Sequence, residues 1–257
     1  MTEDVTVTRE NAVLTVTFNR PAQHNALTFA MYEALYDACE QADADAGIRA
    51  LLVRGAGGRA FASGTDIAAF REFSDGADGV AYEERITRVV NRLEEVAVPT
   101  VAVVDGYCLG GGMALAAVCD LRIATRPSRF GVPIARTLGN CLSMNSVSVV
   151  AARLGASRTL DLLLRARLLG AEEAAAAGFV SEVCDVDDLD AVVQDMVDTL
   201  LAHAPLTMWA SKVAVARLRR HSLPDGDDLV ATAFGSGDFR RAVAGFGSGE
   251  PPRWDGA

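Results

Sequence analysis

One glycine-rich segment in the middle of the chain restricts the fold more than any other feature. The apolar run 101–104 predicts a buried strand, which leads through Gly106 into three consecutive glycines, 110–112. The small apolar residues 113–118 follow and predict a buried helix. This order of strand, glycine turn and helix leaves backbone N–H groups at the helix start without acceptors. The segment therefore predicts an anion or oxyanion site, or a tight turn that only packs a helix against a sheet.

Nucleotide-binding motifs and a membrane span are the alternatives for this segment. A P-loop is excluded because no Gly-Lys-Ser/Thr follows the glycines. The dinucleotide fingerprint is incomplete because Leu115 occupies the place of its third glycine. Residues 100–119 are long and apolar enough to suggest a membrane span, but Asp105 and four glycines interrupt them. We therefore interpret the segment as part of a soluble fold.

Composition excludes further classes of protein. The net charge of −10 argues against a nucleic-acid partner. The five cysteines are odd in number and form no Cys-x-x-Cys, which favours reduced thiols in a cytoplasmic protein. The first residues contain neither a basic nor an apolar region, so no secretory signal is predicted.

The order of predicted elements gives the fold class. Alternating residues in 5–8 and 13–18 predict a β-hairpin. Strands then alternate with helices, and only helices follow, which predicts an α/β core over 1–185 and a helical segment over 186–257. The later helices carry apolar stripes with little core of their own. We therefore expect this segment to pack against a neighbouring subunit.

Local signals predict several element boundaries. Thr28 is placed to cap a helix whose apolar residues fall on one stripe. The polar, glycine-rich residues 74–79 predict a mobile loop, and residues 126–141 predict an irregular segment because they contain two prolines. The helix over 227–246 is expected to break at the glycines of 235–237.

Short motifs spread along the chain resemble those of the crotonase (enoyl-CoA hydratase/isomerase) family. The family's order and spacing are kept over nearly the whole chain, in motifs at 19–27, 61–67, 105–112, 119–124, 130–133, 173–180, 211–212 and 239–254. The resemblance implies a crotonase-like spiral of ββα units with C-terminal helices that form trimers, and often hexamers. It also implies an acyl-coenzyme A thioester as the small-molecule partner. No metal ion and no cofactor are expected, because coenzyme A enters as part of the substrate.

The resemblance assigns the central chemistry to two backbone amides. By motif position these are the N–H groups of Thr65 and Gly111. In the family such a pair holds the thioester carbonyl and stabilises the enolate, and one donor is typically worth about 3 kcal/mol in a transition state. Because both donors belong to the backbone, Thr65 in place of the usual alanine is expected to be tolerated.

The glutamates that hydratases of this family use are both missing. Ala114 and Ile134 occupy their positions, and neither side chain can transfer a proton. The chain is therefore not expected to be an efficient hydratase. The single-base isomerases of the family usually draw on the second of these positions, so that route is weakened as well.

The segment 136–145 covers the place where other branches of the family keep an alternative catalytic group. It offers polar candidates but no carboxylate, and they are Arg136, Asn140, Cys141, Ser143 and Asn145. A nucleophilic role for Cys141 or Ser143 requires a nearby base, and no histidine is close in sequence. A helix N-cap is the alternative role for Ser143.

Binding of the coenzyme A moiety is expected to be altered. The family's basic residues are absent from the loop 22–24 and from the terminal pair, here 249–250. The candidates that remain are Arg20, His24, Arg59 and Ala62, with Lys212 and Arg253 as candidates from a neighbouring subunit.

Two functions stay open at this stage. The first is an enzyme that uses the oxyanion site on an acyl-CoA without the two glutamates, by decarboxylation, thioester hydrolysis or isomerisation. The second is a protein that binds acyl-CoA or another carbonyl ligand without turnover. Asp66 and Asp120 lie beside the motifs and are assigned positioning roles rather than catalytic ones.

Overall fold

Two β-sheets organise the chain. The structure, a computed structural model, describes residues 4–221, 223, 225–248, 250 and 254–255. Within that part of the chain the strands are β1 (Val5–Glu10), β2 (Val13–Phe18), β3 (Ala50–Gly55), β4 (Ala60–Ala62), β5 (Thr100–Val104), β6 (Tyr107–Leu109), β7 (Leu121–Thr125), β8 (Arg129–Gly131), β9 (Leu169–Gly170) and β10 (Glu182–Cys184). The larger sheet has the order β1-β2-β3-β5-β7-β10 and is parallel except for the predicted hairpin β1–β2. The smaller sheet has the order β4-β6-β8-β9.

The helices cover the sheets and fill the second half of the chain. In the described residues they are α1 (Phe29–Ala44), α2 (Gly76–Glu95), α3 (Gly111–Val118), α4 (Ile134–Thr137), α5 (Met144–Leu154), α6 (Ala156–Arg165), α7 (Ala171–Ala176), α8 (Leu189–Ala202), α9 (Pro205–Arg220), α10 (Asp227–Phe234) and α11 (Gly237–Gly245). None of these helices is both long enough and apolar enough to span a membrane.

The middle of the chain repeats a unit of two strands and a helix. In β3–β4–α2, β5–β6–α3 and β7–β8–α4, the first strand enters the larger sheet and the second enters the smaller one. The parallel pairing within each sheet follows from this repetition. The predicted spiral of ββα units is confirmed.

Strand β5 in the middle of the larger sheet is buried on both faces, which explains why it is a continuous apolar run. Ala102 and Val104 point into the main core, whereas Val101 and Val103 point towards α8. The predicted buried strand before the glycines is therefore confirmed, and it carries side chains into two separate cores.

The C-terminal helices differ in how they contact the rest of the chain. Helix α8 packs on the larger sheet, and α10 packs on α2 with Phe234 in the main core. Helix α9 buries none of its residues. Ion pairs hold it, and one of them joins the Arg219 guanidinium to the Glu94 carboxylate at 2.6 Å. The helical segment therefore completes the core of its own chain, and α9 alone stays at its surface among these described helices.

Several boundary predictions are confirmed and two are wrong. Thr28 caps α1 by accepting a hydrogen bond from the Met31 N–H, and the break between α10 and α11 falls as predicted. Residues 74–79 are not a loop, because α2 begins at Gly76. The side chains of Asp75 and Asp78 form a reciprocal capping box that starts this helix. The segment 126–141 is less irregular than predicted, since it contains β8 and α4.

Candidate active site

The backbone N–H of Thr65 is left without an acceptor by the way its loop pairs. A parallel bridge joins Leu27 to Thr65. The Leu27 N–H donates to the Gly64 carbonyl at 2.8 Å, and the Asp66 N–H donates to the Leu27 carbonyl at 2.9 Å. The bridge thus engages the carbonyl before Thr65 and the N–H after it. No acceptor for the N–H of Thr65 itself lies within the described residues.

The N–H of Gly111 is unpaired because it begins a helix. Gly110 precedes α3 with a φ of +53°, and its own N–H donates to the Gly131 carbonyl at 3.0 Å. The Gly111 N–H points out of the first turn and has no acceptor in the part of the chain that the structure describes. This matches the geometry predicted from the glycine-rich segment.

The two donors lie on loops that pack backbone against backbone. Gly64 has a φ of +107°, and a Cβ placed on it would lie 4.0 Å from the Gly111 nitrogen. A Cβ on Gly110 would lie 3.3 Å from the Gly64 Cα. Glycine at these positions permits both the positive φ and the close approach. We call the N–H groups of Thr65 and Gly111 the donor pair.

The donor pair borders a cavity of about 210 Å³, which we call the central cavity. Both donor residues line it, together with Ala114 and Ile134. Much of the remaining lining is apolar and includes Ile67, Phe70, Ile86, Leu109, Leu138 and Leu142. The two positions at which the family resemblance predicts glutamates therefore line the cavity here with side chains that cannot transfer protons.

The side chain of Thr65 is fixed by two buried tyrosines. Its hydroxyl lies 2.9 Å from the Tyr32 hydroxyl and 2.7 Å from the Tyr82 hydroxyl. Burial raises the pKa of both phenols above their ordinary value. The hydroxyl therefore connects the loop that carries one donor to α1 and α2, and the tolerance of threonine in place of alanine stays a prediction.

Glu83 is a carboxylate of the central cavity that the sequence motifs do not indicate. It lies on α2, is 5% exposed, and is the one carboxylate among the described residues that line this cavity. Its Oε2 accepts a hydrogen bond from the Ser143 N–H at 2.8 Å. No ion pair to Glu83 forms within the described part of the chain. Burial raises its pKa to about 7, although the bond from Ser143 opposes the shift.

A signal for Glu83 does exist in the sequence. The apolar residues Ile86, Val89, Val90 and Leu93 mark the buried stripe of α2, and Glu83 lies one turn before Ile86 on the same stripe. A charged residue at a core position is rarely fully buried unless it has a partner or a function. The stripe could therefore have identified Glu83 without a motif.

The candidates in 136–145 lie in different surroundings. Asn140 lines the central cavity, and its Oδ1 is buried without a hydrogen-bond partner in the described structure. Ser143 caps α5, as the N-cap alternative predicts, and the Cys141 thiol donates to the Leu229 carbonyl at 3.6 Å. Arg136 is exposed on α4.

The nucleophile hypothesis gains no support from these contacts. Burial raises the pKa of the Cys141 thiol to about 12, which disfavours the reactive thiolate. The Ser143 hydroxyl lies 3.2 Å from the Ser146 hydroxyl and 3.3 Å from the Thr87 hydroxyl. Neither Cys141 nor Ser143 has a histidine partner in the described chain.

Two of the cations suggested for coenzyme A are engaged within the chain. Arg20 donates to the Asp66 carboxylate at 2.9 Å and to the Ala26 carbonyl at 2.6 Å. Lys212 contacts the Asp120 carboxylate at 2.7 Å. Asp66 and Asp120 thus each hold a cation of their own chain, and their positioning roles stay a prediction.

The other coenzyme A candidates lie elsewhere on the motif loops. His24 and Arg59 are exposed, and Ala62 is buried in β4. Arg253 and Gly249 lie outside the described residues. Coenzyme A binding by any of these residues stays a prediction.

Cofactor-binding features were searched for as well. No group of three or more His, Cys, Asp or Glu side chains suited to a metal ion occurs in the described residues. All five cysteines, each of which the structure describes, lack a disulfide partner.

Comparison with known proteins shows which family the chain resembles in sequence and fold. The model of the family described as enoyl-CoA hydratase/isomerase matches residues 8–254. A probable enoyl-CoA hydratase of Mycobacterium tuberculosis is 32% identical over 248 residues, which cover 95% of each protein. The 2,3-dehydroadipyl-CoA hydratase of Escherichia coli is 30% identical over 223 residues, which cover 87% of this chain and 86% of that protein.

Solved structures agree with these matches. An enoyl-CoA hydratase/carnithine racemase from Magnetospirillum magneticum superposes with a TM-score of 0.81 at 30% identity. The superposition covers 100% of this chain and 97% of that protein. A methylmalonyl-CoA decarboxylase in complex with 2-nitronate-propionyl-CoA gives a TM-score of 0.90 over 99% of both chains. Its identity is 22%, so it shows the fold alone. From the motifs, the fold and these matches, the chain belongs to the enoyl-CoA hydratase/isomerase family.

Proposed function

We propose that this protein is an enzyme that acts on an acyl-coenzyme A thioester by stabilising its enolate. The thioester carbonyl accepts hydrogen bonds from the donor pair, and charge that moves onto the carbonyl oxygen is stabilised there. The apolar lining of the central cavity suits an aliphatic acyl chain. Family membership supports an acyl-CoA substrate, since the relatives described above are named as acyl-CoA enzymes.

One observation carries the proposal. The N–H groups of Thr65 and Gly111 both lack acceptors within the described residues, and both residues line one cavity. Both residues are half-buried at the edge of this cavity, so a ligand that enters it can reach the two unpaired N–H groups. A carbonyl oxygen is an acceptor that can use both.

Hydration is not the proposed reaction. Addition of water across a double bond needs a general base for the water and an acid for the α-carbon, and the two usual positions hold Ala114 and Ile134. Decarboxylation, thioester hydrolysis and double-bond isomerisation remain as outcomes of an enolate or a polarised thioester. A protein that binds acyl-CoA without turnover is the alternative function.

Assays of acyl-CoA thioesters test the proposal. Crotonyl-CoA hydration should be slower than in a family hydratase that has both glutamates by several orders of magnitude, because each acid or base contributes roughly 10²–10⁴-fold. Hydration at the rate of such an enzyme, measured side by side, would show that the proton-transfer groups have been misassigned. Tight binding with no change in any thioester of a panel would favour the alternative function.

We also propose that the protein assembles as a homotrimer or hexamer in the cytoplasm. Helix α9 exposes Leu206 and Leu218, at 77% and 79% of their surface, and a second copy of the chain would cover them. Thiol chemistry supports a reducing compartment, because all five cysteines are unpaired.

A further inference from the structure

The side chains that face the central cavity include one proton-transfer group that the family motifs do not supply. Glu83 reaches the cavity from α2, whereas the positions of the usual glutamates lie on α3 and α4. We propose that Glu83 is the catalytic base of this site and removes the α-proton of the acyl thioester whose carbonyl the donor pair holds. This inference rests on the proposed function, because the α-proton becomes acidic only when the enolate oxygen is stabilised.

The contacts of Glu83 suit a base rather than a structural ion pair. Its carboxylate is buried and lines the cavity, and it accepts hydrogen bonds from the Ser143 N–H, at 2.8 Å, and from the Ser143 side chain. No arginine, lysine or histidine of the described residues forms an ion pair with it. A buried carboxylate whose hydrogen-bond donors are neutral groups of one residue is costly to keep without a function, since replacement by an apolar side chain would remove the desolvation cost.

Hydrogen bonds connect α2, which carries Glu83, to the elements around the cavity. Tyr82 precedes Glu83 on α2, and its hydroxyl contacts the Thr65 hydroxyl at 2.7 Å. The helix that carries the base and the loop that carries one donor are thus joined by a direct hydrogen bond. On the other side, the Ser143 N-cap of α5 fixes the carboxylate.

The proposed step is balanced within the site. The α C–H bond breaks, its proton forms an O–H bond on Glu83, and the electron pair moves onto the thioester oxygen between the donor pair. Return of the proton to the same carbon regenerates the substrate. Return to the γ-carbon of a β,γ-unsaturated acyl chain shifts the double bond, so no water or second base is needed. The substrate class this favours is an enoyl-CoA that undergoes a proton shift.

The pH dependence of this step follows from the titratable groups around Glu83. Burial raises the pKa of the Glu83 carboxyl to about 7. Its titratable neighbours are Tyr82 on the same helix, Tyr32 on α1 and Cys141 before α5, and burial raises the pKa of all three. None of these neighbours is expected to titrate near neutrality. Because the base must be ionised, the rate should rise as the pH passes through about 7 and then reach a plateau.

Hydrogen exchange into butyryl-CoA tests the proposal without knowledge of the natural substrate. This saturated thioester cannot be hydrated or isomerised, so deuterium gained at its α-carbon in D₂O reports proton removal alone. We expect the native protein to catalyse the exchange, and Glu83→Gln to lower its rate by at least about 100-fold. Glu84→Gln is the matched control, because Glu84 is the exposed neighbour on the same helix. This variant should catalyse the exchange at the native rate.

Binding of butyryl-CoA, measured by calorimetry for each variant, separates the two levels of the proposal. Exchange that persists in Glu83→Gln would overturn the role of Glu83 and leave the enolate function intact. Native protein that binds butyryl-CoA but exchanges no deuterium would also overturn the role of Glu83, and the proposed function would then be decided by the panel of thioester assays, which includes reactions that need no α-proton removal. If Glu83→Gln proves unstable on melting, the native pH profile decides, because a rate that is constant between about pH 5 and 9 excludes a base of this kind.

Discussion

The central cavity combines two kinds of functional group that depend on sequence in different ways. The donor pair is made of backbone, and it exists because Gly64 and Gly110 adopt positive φ values and let two loops approach. The proton-transfer groups are side chains, and the two positions that the family resemblance assigns to them hold Ala114 and Ile134. A backbone donor survives most substitutions at its own residue, whereas a side-chain acid or base does not.

Under the proposed function, this difference explains how a chain can keep both backbone donors while its proton-transfer groups change. An N–H group is available at Thr65 and Gly111 as long as the loop geometry holds. A carboxylate can enter the same cavity from another element, as Glu83 does from α2. Removal of one donor tests whether the backbone N–H groups are needed, and changes in the packing around a donor test how accurately it must be placed.

The largest effect is expected from Thr65→Pro. Proline has no N–H, so the change deletes one donor, and acyl-CoA turnover should fall by about 10²–10³-fold. Thr65→Ser is the matched control because it keeps both the N–H and the hydroxyl, and it should retain most of the turnover. Thermal melting must show that the proline variant is folded. A folded Thr65→Pro protein with native turnover would rule out the donor pair.

Gly111→Ala should have a somewhat smaller effect by a steric route. A Cβ on Gly111 would collide with the hydroxyl oxygen of Tyr32. Displacement of the donor should lower turnover by about 100-fold, the size of effect that a misplaced catalytic group produces. Adding Tyr32→Phe removes the colliding oxygen, so the double variant should recover part of the loss, with a coupling energy of about 0.5–3 kcal/mol. Strictly additive losses would mean that the collision is not the cause.

Thr65→Ala should affect stability more than chemistry. Loss of the hydroxyl leaves the buried phenols of Tyr32 and Tyr82 without their shared partner. We expect the free energy of unfolding to fall by about 1–3 kcal/mol, measured by urea denaturation, while the backbone donor remains. A loss of turnover as severe as in Thr65→Pro, in a variant that stays folded, would instead make the hydroxyl the working group.

The smallest effect on the cavity is expected from Leu218→Asp on α9. Leu218 is exposed in the single chain and does not line the central cavity. A charge at this position should prevent assembly if a second copy covers α9, and light scattering should then detect monomers where the native protein forms trimers or hexamers. A native protein that is already monomeric at micromolar concentration would contradict the proposed assembly.

The parts of the fold that short-range signals control could be predicted from the sequence. The hairpin, the strand before the glycines and the unpaired N–H of Gly111 each depend on a few adjacent residues. The sequence predicts a loop at the start of α2, because the glycines beside Asp75 and Asp78 favour a loop more clearly than these two residues indicate a capping box. The packing of the C-terminal helices is harder to predict, because an apolar stripe does not show whether the same chain or a neighbouring subunit covers it.

The parts of the site that depend on distant contacts could not be predicted in the same way. The motif position of Thr65 suggests its N–H, but its hydroxyl partners come from α1 and α2. Glu83 lies outside every motif, and only the fold brings it to the cavity that Gly111 also borders. Arg20 and Lys212 have the charge expected of phosphate partners, yet carboxylates close to them in the fold already bind both.

The carbonyl stretch of a bound thioester tests the central claim most directly. Infrared difference spectra of crotonyl-CoA, with and without ¹³C at the thioester carbonyl, isolate that vibration in the complex. Two hydrogen bonds from the donor pair should polarise the carbonyl and lower its frequency on binding to the native protein, and Thr65→Pro should lose much of the shift. A carbonyl that keeps its solution frequency when bound to the native protein would contradict the account.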